Sequence, residues 1–189
     1  MSQTLPSAAE ACLADLAAHL PPAALLTGAD VPARNLQDAS FLPPVRPLAL
    51  VRPDSAKGVA EAMRICAGHR IPVVPQGGLT GLAGGARPIE GAVALSLERF
   101  SGIEEIDPDS ATVTVRAGTP LEAIQRAADD AGFFVALDLG ARGSCQIGGN
   151  LATNAGGNRV IRYGMAREMV LGLEYVLPTA RSSPASTRC

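Results

Sequence analysis

Apolar positions along this chain recur with two periods, and the switches between them predict its elements. Leu13, Leu16, Ala17 and Leu20 fall at helical spacing, so the start reads as a short amphipathic helix ended by Pro21-Pro22. Residues 21–47, rich in proline and alanine, read as an extended leader. "PLALVRP" (47–53) has the character of a short strand closed by Pro53. Asp54 or Ser55 then caps a helix through "AKGVAEAMRICAGH", with Gly68 as its stop. "IPVV" (71–74) is apolar and β-branched, so strand, helix and strand in this span predict a right-handed parallel βαβ unit. "AVALSL" (92–97) alternates as a strand, and "SGIEEID" and "ATVTVRAG" flank the turn "DPDS" as an antiparallel hairpin. Thr119, Pro120 and Glu122 read as N-cap, N1 and N3 of a capping box that opens a helix to about Asp130, with Gly132 as its stop. "FFVALDL" (133–139) and "MVLGLEYVLP" (169–178) read as two further strands. Parallel and antiparallel signals are mixed, so the fold class is α+β with more than one sheet. "TARSSPASTRC" (179–189) has no apolar period and reads as an irregular tail.

Composition narrows the classes of function. Hydrophobic content of 47% with 18% charge marks a globular chain able to bury a core. A net charge of -2 gives no electrostatic case for nucleic acid or an anionic membrane surface. Aromatics at 3% with no Trp argue against base-stacking platforms. Cys12, Cys66, Cys145 and Cys189 form no C-x-x-C pair and read as free thiols in a reducing compartment, not a metal site. His19 and His69 lie far from the two glycine-rich runs and read as solvated helix residues. The start lacks a basic targeting region and no apolar run is long enough to span a bilayer, so the expectation is a soluble cytoplasmic protein.

The chemistry is concentrated in two glycine-rich runs, "VVPQGGLTGLAGGARP" (73–88) and "GSCQIGGNLATNAGGN" (143–158). Neither carries the Walker spacing, since the only lysine is Lys57, and neither carries G-x-G-x-x-G. Each follows a predicted strand and is laced with short polar residues, which favours a binding loop over a plain turn. Backbone N–H groups can hold a phosphate where side chains do not block it. Gly77, Gly78 and Gly81 with Thr80 supply such access in the first run. Gly148, Gly149, Gly156 and Gly157 supply it in the second, with Ser144, Asn150, Thr153 and Asn154 as short donors. A charge-poor cradle of amides suits a pyrophosphate inside a large cofactor. Cys145 reads as a packing residue, because Arg142 is the only basic residue near it in sequence.

"PQGGLTGLAGGA", "LDLGARGSCQIGGNLATNAGGNRVIRYG" and "VLGLEYVL" together resemble the PCMH-type FAD-binding domain of the vanillyl-alcohol oxidase superfamily. The branch they resemble most is that of the D-2-hydroxyglutarate and D-lactate dehydrogenases and glycolate oxidase, over roughly residues 35 to 178. The resemblance implies two α/β subdomains that hold FAD without a covalent bond, since neither run carries a histidine. It places cofactor contacts on Pro75, Gln76, Gly77, Gly78, Thr80, Gly81 and Leu82 of the first run. On the second it places them on Gly143, Ser144, Ile147, Gly148, Gly149, Asn150, Thr153, Asn154, Ala155 and Gly156. Leu79 stands where relatives often carry Asn, and Asn158 where they often carry Leu.

The resemblance divides the chain into a helix and leader (1–45), an incomplete FAD-binding domain (46–178) and a tail (179–189). It implies that the reading frame ends early, without the C-terminal part of the domain or the cap domain that supplies the catalytic base, so no catalytic residue and no metal site is named. The expected function is an FAD-linked oxidoreductase of 2-hydroxy acids, present as its flavin-binding N-terminal part. Its partners would be a small-molecule 2-hydroxy acid and an electron acceptor. The alternatives are a non-catalytic flavin-binding fragment of a truncated gene and a stand-alone phosphate-binding domain.

Overall fold

The computed structural model describes residues 7–177 and the backbone of residues 182–186. Helix α1 (Ala8–His19) opens on a reciprocal cap: Ser7 Oγ accepts from the Glu10 N–H at 3.3 Å, and Glu10 Oε2 accepts from the Ser7 N–H at 2.8 Å. Its buried stripe is Cys12, Leu16 and Leu20, while Ala17, which the spacing placed on that face, is exposed. The stripe packs on α2 (Ala56–Gly68), capped by Ser55 as expected, through Ala62, Ile65 and Cys66. Asp15 of α1 accepts from His69 beyond α2 at 2.6 Å, so His69 pins the two helices together rather than standing free in solvent.

The main sheet contains β1 (Leu25–Thr27), β2 (Ala49–Val51), β3 (Val73–Gln76) and β4 (Val93–Ser96), in the order β1-β2-β4-β3. Strand β1 is antiparallel to β2, and the other pairs are parallel. The βαβ unit is therefore parallel as expected, but β4 is inserted between its two strands. Both β2 and β4 are buried along their whole length, so β4 does not alternate with solvent. The pleat sends Ala49, Val51, Val93 and Leu95 to the helix side, and Leu50 and Ala94 to the opposite face beneath Val31, Leu26 and Leu36. Full burial of a side chain such as Leu50 stabilises by about 1.5–3 kcal/mol.

Residues 21–45 are thus no leader outside the domain: they supply β1 and cover one face of the sheet. Three strand residues flanked by prolines carry too little period to announce this. Strand β3 lies at the sheet edge, where Pro75, which lacks an N–H, is tolerated.

The second unit starts with the hairpin β5 (Ile103–Asp107) and β6 (Thr112–Val115), closed by Asp107 Oδ1, which accepts from the Asp109 N–H at 2.9 Å. Helix α3 (Leu121–Asp130) begins one residue later than expected, on Pro120, without a side-chain cap. Thr119 is buried and its hydroxyl is engaged by Gly102 and the Arg116 carbonyl, so it is unavailable for a capping box. The N–H groups of Leu121 and Glu122 instead donate to the Cys145 and Arg142 carbonyls.

Residues 133–139 form no strand. Their one ladder contact is the bridge Asp138↔Gly157, and Gln125 Nε2 donates to the Leu137 carbonyl at 2.7 Å in place of a neighbouring strand. A second small core gathers Leu121, Leu137, Cys145 and Ala166 under α4 (Ile147–Ala152), and the short α5 (Val160–Tyr163) follows. Strand β7 (Gly172–Val176) is shorter than its apolar run and leaves Leu173 and Tyr175 exposed, so it is not covered on both faces. Within the expected irregular tail, β8 (Ser182–Ser186) pairs antiparallel with β7. Backbone pairing needs no apolar period, so the residue pattern did not reveal it.

Candidate functional site

The fold brings the two glycine runs into contact. The first leaves the carboxyl end of β3 at Gln76, where open α/β sheets place ligands. The second is stitched to the turn before α3 by hydrogen bonds from Ile147 N to Thr119 O (2.9 Å) and from Gly148 N to Ala117 O (2.8 Å). A Cβ on Gly78 would overlap the Ser144 carbonyl oxygen and lie 2.8 Å from Cys145 Cα. Gly78 is therefore glycine so that the two runs can touch. Gly148 has the same role against Ala117, and Gly157 against the Asp138 backbone. Around Gly81 and Gly149, by contrast, a Cβ would meet nothing within 4 Å, and at Gly77 it would make only ordinary contact with Gln146. The free approach expected of all these glycines thus belongs to Gly81 and Gly149.

Beside this seam lies an open cleft of about 490 Å³ lined by Arg34, Gln37, Asp38, Ala39, Gly78, Leu79 and Ser144. Of the expected contact residues, Gly78 and Ser144 line it. Thr80 is half-buried, Gly81 and Leu82 are exposed at the outer bend, and Pro75 is exposed on the edge strand. Gln76 is fully buried, with its amide bonded to Asn35 and the Ala86 carbonyl. In the second run Gly143 is exposed beside Glu122, and Ile147 packs into the small core. Thr153 Oγ1 donates to the Gly149 carbonyl, and Asn154 Oδ1 accepts from the Arg167 N–H. Ala155 donates its N–H to the Asn150 carbonyl, and Gly156 packs against Val160. Several of the expected donors are therefore committed to the fold.

Arg34, Gln37 and Asp38 were missed, because only tertiary structure carries them to the glycine runs. Asp38 accepts from Ser40 N at 3.1 Å and Ala86 N at 3.2 Å. Burial raises its pKa, but the hydrogen bonds from Ser40, ahead of that from Ala86, outweigh burial and hold the carboxyl below the ordinary Asp value. Cys145 is buried, and desolvation is the chief cause of its raised pKa. That makes Cys145 an inert packing residue.

Gln146, also missed, is only 8% exposed, and its Oε1 has no partner; neither has Asn150 Oδ1. Buried polar atoms are rarely left alone. Two unsatisfied amide oxygens in the second run, that of Gln146 lying 3.6 Å from where a Cβ on Gly77 would stand, fit a ligand that brings hydroxyl donors together with phosphate acceptors, as a flavin dinucleotide does. A model of the FAD binding domain matches residues 47–182. The chain belongs to that family.

The FAD-binding chain is 49% identical over 130 residues to a D-2-hydroxyglutarate dehydrogenase of Xanthomonas citri pv. viticola, covering 69% of this chain and 28% of the relative. Against the mitochondrial D-2-hydroxyglutarate dehydrogenase of Bos taurus, identity is 45% over 128 residues, 68% of this chain and 24% of the relative. The chain thus spans about a quarter of the length of these curated relatives. Among solved structures, an alkyldihydroxyacetonephosphate synthase superposes with a TM-score of 0.83 at 18% identity, over 94% of this chain and 35% of that one. A p-cresol methylhydroxylase with substrate bound gives 0.80 at 21% identity, over 96% and 36%. The fold is the PCMH-type, α+β FAD-binding fold, and FAD is the cofactor for which it is built. No helix among the described residues is long and apolar enough to cross a membrane.

Proposed function

We propose that this chain is the flavin-holding part of an FAD-linked dehydrogenase of small 2-hydroxy acids of the D-2-hydroxyglutarate, D-lactate or glycolate type. The observation that carries the reading is the seam: Gly78 lets two glycine runs meet, and open faces remain beside it at Gly81 and Gly149. Identity to dehydrogenases of D-2-hydroxyglutarate supports the substrate class. FAD, when bound, supplies the acceptor for the two electrons leaving a hydroxyl-bearing carbon.

The chain's own task is to hold and orient. Backbone N–H groups of residues 77–82 and of Gly149, which are not engaged elsewhere among the described residues, receive phosphate oxygens, Arg34 adds one positive charge, and the free oxygens of Gln146 and Asn150 accept from hydroxyl groups. Among the described residues, Asp38 is the only carboxylate lining the cleft. The backbone N–H groups of Ser40 and Ala86 engage it, which makes it a poor base at neutral pH. That favours a second reading for this chain taken alone: it binds flavin and turns nothing over.

We assign the protein to the cytoplasm on the strength of three buried free thiols, Cys12, Cys66 and Cys145; an electron acceptor is its second partner. The test is a titration of the purified chain with FAD, followed by addition of D-2-hydroxyglutarate or D-lactate without oxygen. A quenched flavin that does not bleach supports the second reading, and bleaching supports the first. Absence of any flavin binding overturns both.

A further inference from the structure

Residues 35–38, which the residue pattern set aside as leader, hold both ends of the first glycine run. The run leaves β3 at Gln76 and returns at Ala86. The Gln76 amide, wholly buried, accepts from Asn35 Nδ2 at 2.9 Å and donates to the Asn35 carbonyl and the Ala86 carbonyl, each at 3.0 Å. On the other side of Ala86, its N–H donates to Asp38 Oδ2 at 3.2 Å. Both backbone groups of Ala86 are therefore held by side chains, and one of these is tied to Asn35.

Between the Gly78 seam and Gly84, which packs on Leu42, the bend has little packing of its own. Gly81 and Gly85 face open space, Leu82 is 73% exposed, and Leu79 sits in the left-handed region at φ 61°. Such a loop takes its shape from its base, because few contacts within it select one conformation. The same segment lines the cleft through Arg34, Gln37 and Asp38, opposite Gly78 and Leu79.

We infer that Asp38 and Asn35 are positioning residues for the cofactor cradle, clamping the first glycine run at Gln76 and Ala86 so that its open amides are set before the ligand arrives. The inference rests on the reading of this site as a flavin site. A preset loop loses less conformational freedom on binding, so the clamp raises affinity without touching the ligand.

The test compares the full chain as wild type, Asp38→Asn and Asp38→Ala. The readouts are peptide-resolved amide exchange in the FAD-free chain and FAD affinity by flavin fluorescence. In Asp38→Ala, exchange across residues 77–87 accelerates about tenfold while α2 keeps its wild-type protection. FAD affinity falls about tenfold, equivalent to about 1.4 kcal/mol. Asp38→Asn keeps the side-chain volume and an acceptor for the Ala86 N–H, so it restores affinity to within about threefold of wild type. Wild-type exchange in the loop of Asp38→Ala overturns the inference. So does acceleration spread equally over α2, or an Asp38→Asn chain as impaired as Asp38→Ala. Should Asp38→Ala not fold, Asp38→Ser, whose side chain stays polar but is too short to reach the Ala86 N–H, takes its place: acceleration confined to residues 77–87 supports the clamp, and none there refutes it. If the wild type binds no FAD, the flavin reading falls, while the exchange measurement still judges the clamp.

Discussion

Gly78 and Gly149 give opposite predictions for the same substitution, and together they separate the seam's packing from its binding. A methyl on Gly78 would lie inside the radius of the Ser144 carbonyl oxygen and 2.8 Å from Cys145 Cα. Carbon atoms in ordinary contact are about 3.5–4.0 Å apart, so the two runs must part by about 1 Å. Both obstacles are backbone and cannot rotate away. The loss therefore belongs to the upper part of the roughly 1–3 kcal/mol range for overpacked sites. At roughly 2–4 °C per kcal/mol for a chain of this size, Gly78→Ala lowers Tm by several degrees in the absence of FAD.

Gly149, inside α4, has nothing within 4 Å of its added Cβ and needs no positive φ. Ala there gains about 0.5–1 kcal/mol over Gly in a helix, so the FAD-free chain keeps or raises its Tm. Its methyl projects into the open face, and FAD affinity falls about tenfold, or about 1.4 kcal/mol. Thermal unfolding without ligand and fluorimetric FAD titration check both variants. An unchanged Tm for Gly78→Ala would show that the runs are not packed on each other. Undiminished affinity in Gly149→Ala would show that its open face is not where the cofactor lies.

Three further outcomes are expected. Leu79 holds φ 61°, a region costing most L-residues roughly 1–2 kcal/mol but visited readily by Asn. Leu79→Asn should therefore stabilise the chain by up to about 1 kcal/mol in urea unfolding, and a loss of stability would refute the strain. Burial raises the thiol pKa of Cys12 and Cys145, and that of Cys66 to about 12. Iodoacetamide at pH 8, read by peptide mass, should leave these three unmodified until urea unfolds the chain, and rapid native labelling of Cys66 would contradict the burial. Because these folded pKa values exceed the unfolded one, their contribution is complete below the ordinary thiol pKa of about 8.5. Stability should decline as pH rises beyond that and on towards 12; a flat pH profile to pH 10, followed by far-ultraviolet dichroism, would count against it.

What could be read from residues alone follows the range of the interactions concerned. The cap at Ser55, the hairpin around Asp107 and the placement of the first glycine run after β3 depend on near neighbours, and all three are found. The capping box at Thr119 failed because a distant group, Gly102, competes for the same hydroxyl. The strand expected at residues 133–139 failed because an apolar run states that it will be buried, not that another strand will lie beside it. There, the Gln125 side chain meets the Leu137 carbonyl instead.

The site divides in the same way. Glycine clusters and short polar residues marked where a ligand could be held, but not which surface each glycine faces. Gly78 and Gly149 look alike in the sequence, yet one lies against Ser144 and the other against open space. The third wall, Arg34 to Ala39, had only one signal: a run of polar residues, "RNLQD", inside an otherwise proline- and alanine-rich stretch. A buried amide pair such as Asn35 and Gln76, forty-one positions apart, leaves no local trace at all. Its existence follows from a rule about interiors, that a wholly buried Gln must find partners for both ends of its amide. Once β3 buries Gln76, the chain has to bring polar groups to meet it, and the segment that does so becomes part of the cradle.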